Sequence, residues 1–435
     1  IFYISLPLIV FYLSNIFLKK EETIKFKDLI SNNQQDFLGN NLIIFNISII
    51  FFILIIIEFL SLDLSRFLFG MKFDPLHDGD YLTAAQNYIS KKNIWISSYP
   101  PHGGSHVFYP IIIWKIFGVE SIGVFRTFWL FLILFVKLLS VVLSYQLTKI
   151  SFLDEKIKIL FFVIFTFFLI SMSRYEVPMN YSMFSFRDFF LILFIIFSIE
   201  IFILSKLNYI NIFILTLIPS AAILFHIDIG IVLLLSMIFI ILYFLIIKKY
   251  TETFIITITF FISWIFIIYI IGFKEFLAFI DHAKTMLLSM DYQHGLIYPD
   301  PFFSIGDNPH GPRATRGLLF QISAGLFVIY NLISLKGNFS YKKRIFLFFL
   351  FFLSFVLYKN ALGRSDSYHI RMASDLPILL NVFFILHLIL FELEKIKFIK
   401  RIIHSKKKIT IISSIIIFTV AFYNNDKFNL NNIIN

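Results

Sequence analysis

The chain contains no cysteine. Disulfides and thiolate metal sites are thereby excluded, although the absence does not identify a compartment. Charged residues are also few, 15% of 435 positions, well below the roughly one quarter found in soluble domains. Acids are the scarcer sign, 27 against 38 lysines and arginines, which leaves a net charge of +11. That surplus does not point to nucleic acid, because the lysines are dispersed over short segments and no soluble basic domain is expected to carry a groove. Retention at an anionic inner leaflet accounts for it better. Arginine is scarce beside lysine, and the wealth of Phe, Ile, Asn and Lys fits an AT-rich genome. Each arginine kept against that drift is therefore noteworthy.

Hydrophobic residues make up 59% of the chain, and mean hydropathy is +0.85. Runs such as 42–60, 128–147 and 229–247 approach or reach the roughly 20 residues that cross a hydrocarbon core as helix. They are too many for a signal peptide. Twelve spans are predicted, at about 1–18, 42–60, 121–147, 159–172, 189–204, 209–225, 229–247, 253–272, 317–335, 345–358, 376–393 and 409–423. The 159–172, 345–358 and 409–423 runs are short, which suits little tilt or a partly re-entrant path. The predicted fold class is all-α: a polytopic transmembrane helix bundle forming one integral-membrane domain over 1–435, with no separate soluble domain. The sequence starts at Ile1, inside a hydrophobic run, which leaves room for a preceding segment.

Alternating the spans puts segments 19–41, 148–158, 205–208, 248–252, 336–344 and 394–408 on one side. These hold 21 of the 38 lysines and arginines, so the positive-inside rule makes that side cytoplasmic. The outer side, periplasmic or extracellular, then carries long loops over about 61–120 and 273–316 and short ones over about 173–188, 226–228 and 359–375. Long loops without structure of their own are uncommon and usually functional. Within them, 81–90 and 276–290 suit interfacial helices. Eight of the ten histidines fall on the outer side, with most of the arginines and prolines. One face therefore reads as a site and the other as an anchor, in a protein expected at a bacterial inner (plasma) membrane.

His77-Asp78-Gly79-Asp80 follows the second span closely. A turn at Gly79 would aim Asp78 and Asp80 at one small volume, which suits a divalent metal or a single base held by its neighbour, with His77 in support. The bland alternative is a solvated turn whose aspartate caps the helix that follows. Tyr99-Pro100-Pro101-His102-Gly103-Gly104-Ser105-His106 is rigid and then permissive. Its prolines fix φ and its glycines allow backbone to approach a ligand closely, and His102 and His106 could reach a sugar, a phosphate or a metal.

Asp78 and Asp80, followed by Tyr81, Ala85, Asn87-Tyr88 and the later Trp95, resemble the first large outer loop of the GT-C superfamily of membrane glycosyltransferases, which use lipid-phosphate-linked sugars. In that superfamily an acidic motif follows an early transmembrane helix and one of its carboxylates is the catalytic base. The resemblance implies that role for Asp78 or Asp80. It covers most of the chain through topology alone, and here a whole span, about 1–18, precedes the helix that would be first in the family.

The segment from Lys359 through Gly363-Arg364-Ser365-Asp366-Ser367-Tyr368-His369-Ile370-Arg371 adds cations to the same face. A planar guanidinium pairs with phosphate oxygens through two parallel hydrogen bonds, so Arg364 and Arg371 suit a lipid phosphate better than lysine would. A helical reading of 365–372 sets Asp366 and His369 three apart on one face. His369 could then be oriented by Asp366 and donate to the leaving phosphate. The second long loop supplies Asp281-His282, Asp291, His294, Arg313 and Arg316, and its prolines and glycines suggest an ordered lid. Arg174-Tyr175-Glu176 and Arg187-Asp188 flank the 173–188 loop. His226 and Asp228 sit in a tight turn at membrane depth, where unpaired charge is costly. Either could support the first-loop carboxylates. Glu58, Lys137 and Glu200 lie near run ends and can snorkel.

The function these residues imply is transfer of a sugar from a polyprenyl-phosphate-linked donor to a glycan, lipid or protein acceptor at the outer face. The expected partners are that donor, its acceptor and membrane lipids, with no nucleic acid. A divalent metal held by Asp78 and Asp80 stays open as a cofactor. The alternatives are a polysaccharide polymerase or ligase, which usually places its decisive loop late, and a multi-span transporter or flippase, which needs ionisable residues and broken helices near the midplane.

Overall fold

The computed structural model describes residues 33–65, 77–98, 100, 102–151, 153, 155–172, 188–203, 208–294, 310–333, 340–362 and 373–395. Among them the chain forms thirteen α-helices and no strand. They are α1 (Asn33–Leu60), α2 (His77–Lys91), α3 (Ser105–Phe117), α4 (Ile122–Ile150), α5 (Glu155–Met172), α6 (Phe189–Ile203), α7 (Tyr209–Phe225), α8 (Ile227–Ile246), α9 (Tyr250–Ile271), α10 (Phe273–His294), α11 (His310–Ile333), α12 (Tyr341–Leu362) and α13 (Asp375–Lys395).

Four helices among the described residues are long and apolar enough to cross a membrane: α1 over Ile43–Leu60, α4, α8 and α9. Their length and composition fit an integral membrane protein, in which every backbone polar group of a spanning segment is satisfied within its own helix. Ten of the twelve predicted spans coincide with described helices. The first and last, 1–18 and 409–423, lie outside the described residues. The 61–120 segment, read as a loop, contains α2 and also α3, a short apolar helix that had not been expected.

The chain divides into two compact units, one comprising Ile1–Ser61, Lys137–Ser171 and Ile385–Asn435, the other Leu62–Val136 and Met172–Phe384. In the first, the apolar helices are joined by rings and hydroxyls. Phe51 meets Phe162 edge-on at 6.1 Å, Phe161 meets the His387 ring at 4.5 Å, and Ser144 Oγ lies 2.6 Å from Thr166 Oγ1. Lys137 is buried and donates to both Glu58 oxygens at 2.8 and 2.9 Å. From sequence, both could snorkel near run ends; the buried cation is answered by a carboxylate that itself keeps partial exposure, as a cation inside an apolar helix must be answered.

In the second unit α7 and α8 form a hairpin whose only non-helical residue is His226. The hairpin closes tightly because position 230 is glycine: a Cβ there would lie 2.0 Å from the Ile223 Cα. Pro219 interrupts the hydrogen bonding of α7. Close by, the Thr216 carbonyl accepts from the hydroxyls of Ser220 and of Ser263 on α9, each at 3.2 Å. The Ser263 bond ties α9 to α7, a hydroxyl link between helices in an apolar setting. Farther along, the Asn381 amide of α13 donates to the Phe320 carbonyl of α11 at 2.9 Å, and Gln321 accepts from Ser354 of α12 at 2.7 Å. Interhelical amide and hydroxyl bonds of this kind join helices that all share an apolar exterior.

Candidate functional site

Helix α2 opens at His77 and runs through Gly79 without the expected turn. Asp78 and Asp80 are thus two apart on a helix, a spacing that does not put side chains on one face. The consequence is visible in their surroundings. Asp78 is 1% exposed and sits against Arg126 near the start of α4. The Arg126 Nη2 donates to Asp78 Oδ2 at 2.5 Å and Nε reaches Oδ1 at 3.4 Å. Asp80 keeps partial exposure. The shared volume expected of the two carboxylates is replaced by one buried ion pair and one carboxylate nearer the surface. Among the described residues no three His, Asp or Glu side chains gather as a metal site.

The register of α2 that buries Asp78 also buries Tyr81, one turn on. Its ring lies 4.0 Å from His106 on α3, 4.8 Å from Phe125 and 5.9 Å from Trp129. His106 is itself buried and meets the His102 ring at 5.3 Å. The first predicted loop therefore has a core of its own, in which two expected site residues, Asp78 and His106, are connected through Tyr81.

A second buried cluster adjoins it through α3. The His226 ring is fully buried between two hydroxyls, with Ser105 Oγ 3.2 Å from Nδ1 and Tyr109 Oη 3.0 Å from Nε2. A neutral imidazole donates at one nitrogen and accepts at the other, so one hydroxyl receives and the other gives. Backbone bonds reinforce the contact. Gly104 N–H donates to the Leu224 carbonyl at 2.6 Å, and Ile227 N–H donates to the His102 carbonyl at 3.2 Å. Gly103, at φ +121°, would place a Cβ 2.7 Å from the Phe225 carbonyl oxygen. The two glycines do permit a close backbone approach, as their sequence suggested, but what they approach is the end of α7. His226 supports α3 and its preceding turn, where support of the carboxylates had been considered. Asp228 lies in the first turn of α8, and its buried Oδ1 finds no hydrogen-bond partner among the described residues.

Helix α10 closes over the same loop from a third direction. Glu275 Oε2 accepts from the backbone amides of Trp95 at 2.8 Å and Ile94 at 3.2 Å. Trp95 and Phe279 meet edge-on at 5.2 Å, and His282 Nε2 donates to the Pro100 carbonyl at 2.8 Å. Burial pushes the His282 imidazole below its ordinary range, more than the Pro100 carbonyl and Asp281 raise it.

Of the remaining expected residues, His77 opens α2, Arg313 falls in the first turn of α11 and Lys359 in the last turn of α12. Arg316 is exposed on α11. Arg364, Asp366, His369 and Arg371 lie outside the described residues, as do Arg174, Tyr175, Glu176 and Arg187. Arg126 and Glu275 were missed. Arg126 had a partial signal: an arginine about one turn inside a predicted span requires a partner, although sequence does not say which carboxylate supplies it. Glu275 had none, since a carboxylate in the first turn of a surface helix is commonplace. Comparison with protein-family models, with curated proteins and with solved structures gives no match to this chain.

Proposed function

We propose that the protein is a membrane glycosyltransferase that takes a sugar from a polyprenyl-phosphate donor and passes it to a glycan, lipid or protein acceptor on the outer side of a twelve-span bundle. The observation that carries this reading is the division of labour between two aspartates at the head of α2: Asp78 is held by Arg126, while Asp80 keeps access to the surface. A base needs access to the proton it removes, and a rigid helix to hold it. The Asp78–Arg126 pair would fix the start of α2, with Asp80 as base. An acceptor hydroxyl would lose its proton to the carboxylate as its oxygen attacks the anomeric carbon. The bond from that carbon to the phosphate oxygen breaks, and the electron pair leaves on the lipid phosphate. A single displacement inverts the anomeric centre. Arg364, Arg371, His369, Lys359, Arg313 and Arg316 are the cationic residues from which the phosphate clamp would be drawn, since stabilising the leaving charge supplies much of the rate. A divalent metal at Asp78 would have to displace Arg126, so the arrangement favours metal-free base chemistry.

The buried Lys137, paired with the partly exposed Glu58, favours a second reading. Ionisable residues inside a spanning helix commonly mark a substrate or proton path, as in a transporter or flippase. One experiment separates the two. The full chain in lipid nanodiscs is given a panel of polyprenyl-phosphate sugars, and release of free polyprenyl phosphate is followed. Acceptor-dependent release from one donor is expected. No release from any donor, together with lipid-linked sugar crossing the bilayer of proteoliposomes that contain the chain, would establish the transporter instead.

A further inference from the structure

We infer that α10 is seated in the membrane interface, with one face among the lipid acyl chains and the opposite face holding the acidic loop in place. Only Gly272, at φ +87°, separates α10 from the candidate span α9, so the helix starts where the chain leaves the hydrocarbon. Phe273, Leu277, Ile280, Lys284 and Leu288 recur at i, i+4, i+7, i+11 and i+15, which places them on one face. The four apolar members are 63%, 52%, 47% and 72% exposed. Apolar exposure continues without a break from the end of α9, where Tyr269 is 85% and Ile270 63% exposed. Surface of that kind on a spanning helix is covered by lipid, and its continuation onto α10 identifies the same cover. Lys284 suits this setting, since its stem can lie along the stripe while the ammonium reaches the headgroups. Lys274, Asp281 and Thr285 are exposed along the adjoining edge and give the helix a wet side.

The third side carries Glu275, Phe279 and His282, the residues that grip Ile94, Trp95 and Pro100. An amphipathic helix binds an interface in proportion to its buried apolar area. The depth at which α10 rides therefore sets the position of the 93–100 turn, and Glu275 is a positioning residue for it. The bilayer acts here as a structural partner, independently of any sugar chemistry.

The absence of native cysteine allows a direct test on the full chain in nanodiscs of phosphatidylethanolamine and phosphatidylglycerol. Leu277→Cys, Leu288→Cys, Asp281→Cys and Thr285→Cys each receive one environment-sensitive fluorophore. Positions 277 and 288 should be quenched by lipid spin-labelled high on the acyl chain several-fold more than 281 and 285, with aqueous iodide giving the reverse order. Iodide access at 277 equal to that at 281 would put the stripe in water and overturn the proposal. Shielding of 277 and 288 from both quenchers would overturn it too, because a protein surface such as a second copy would then cover the stripe. For the grip, Glu275→Ala should speed trypsin cleavage after the exposed Lys91 and Lys92 several-fold. Unchanged cleavage in that variant would remove Glu275 from the account.

Discussion

At the scale of single residues the chain is governed by the cost of polar groups in an apolar setting. Asp78 and Arg126 are both almost fully buried and bonded to each other. Removing one partner strands the other, at about 3–5 kcal/mol for a buried pair. Asp78→Asn and Arg126→Gln should each lower thermal stability in detergent, and the double variant should recover part of the loss. Additive losses would show that the two side chains do not interact. Gly230→Ala tests packing in the same way. The added methyl would overlap Ile223 backbone, and overpacking of this kind costs about 1–3 kcal/mol or more. An unchanged melting temperature would mean that the α7–α8 hairpin is not closed as described. Both features were only half legible. Sequence showed an acidic motif and an arginine, but nothing in the order of residues says that position 126 faces position 78. Gly230 looked like any glycine in an apolar run.

At the scale of elements, periodicity and composition located the helices well, because a long apolar run has few alternatives in a membrane. The predicted loops were read less well. His77–Asp80 looked like a turn because Gly follows Asp, yet α2 absorbs the glycine once Asp78 is anchored by Arg126 and Tyr81 by the His106 and Phe125 rings. Tertiary contact overrode local propensity there. Sequence reading of α10 anticipated a surface helix, and its grip on the first loop becomes visible only in three dimensions. That grip should respond to pH. His282 is held below its ordinary value, so the unfolded residue takes up a proton at a pH where the docked one does not. The docking contributes fully above the ordinary value of about 6.5, and its contribution is lost as pH falls from there toward the lower docked value. Melting temperature should therefore fall between pH 7.5 and 5.5 more steeply in the native chain than in His282→Gln. Parallel curves would show that the imidazole does not sense the docking.

At the scale of the whole molecule, we propose that lysine sets the orientation and that arginine, histidine and aspartate collect on the opposite side. Ser304→Cys, in the second long loop expected from the sequence, should react with a membrane-impermeant maleimide in intact cells, and Ser405→Cys, in the lysine-rich 394–408 segment, only after permeabilisation. The reverse labelling would invert the topology and put the proposed site on the cytoplasmic side. The account's central claim is narrower: one aspartate at the head of α2 removes the acceptor's proton, and the other holds the helix. General base catalysis contributes about 10²–10⁴-fold, so sugar transfer by full-length chains carrying Asp78→Asn or Asp80→Asn is the most direct measurement. Asp80→Asn is expected to lose activity by that factor, and Asp78→Asn to lose stability first. Full activity in both single variants would contradict the claim.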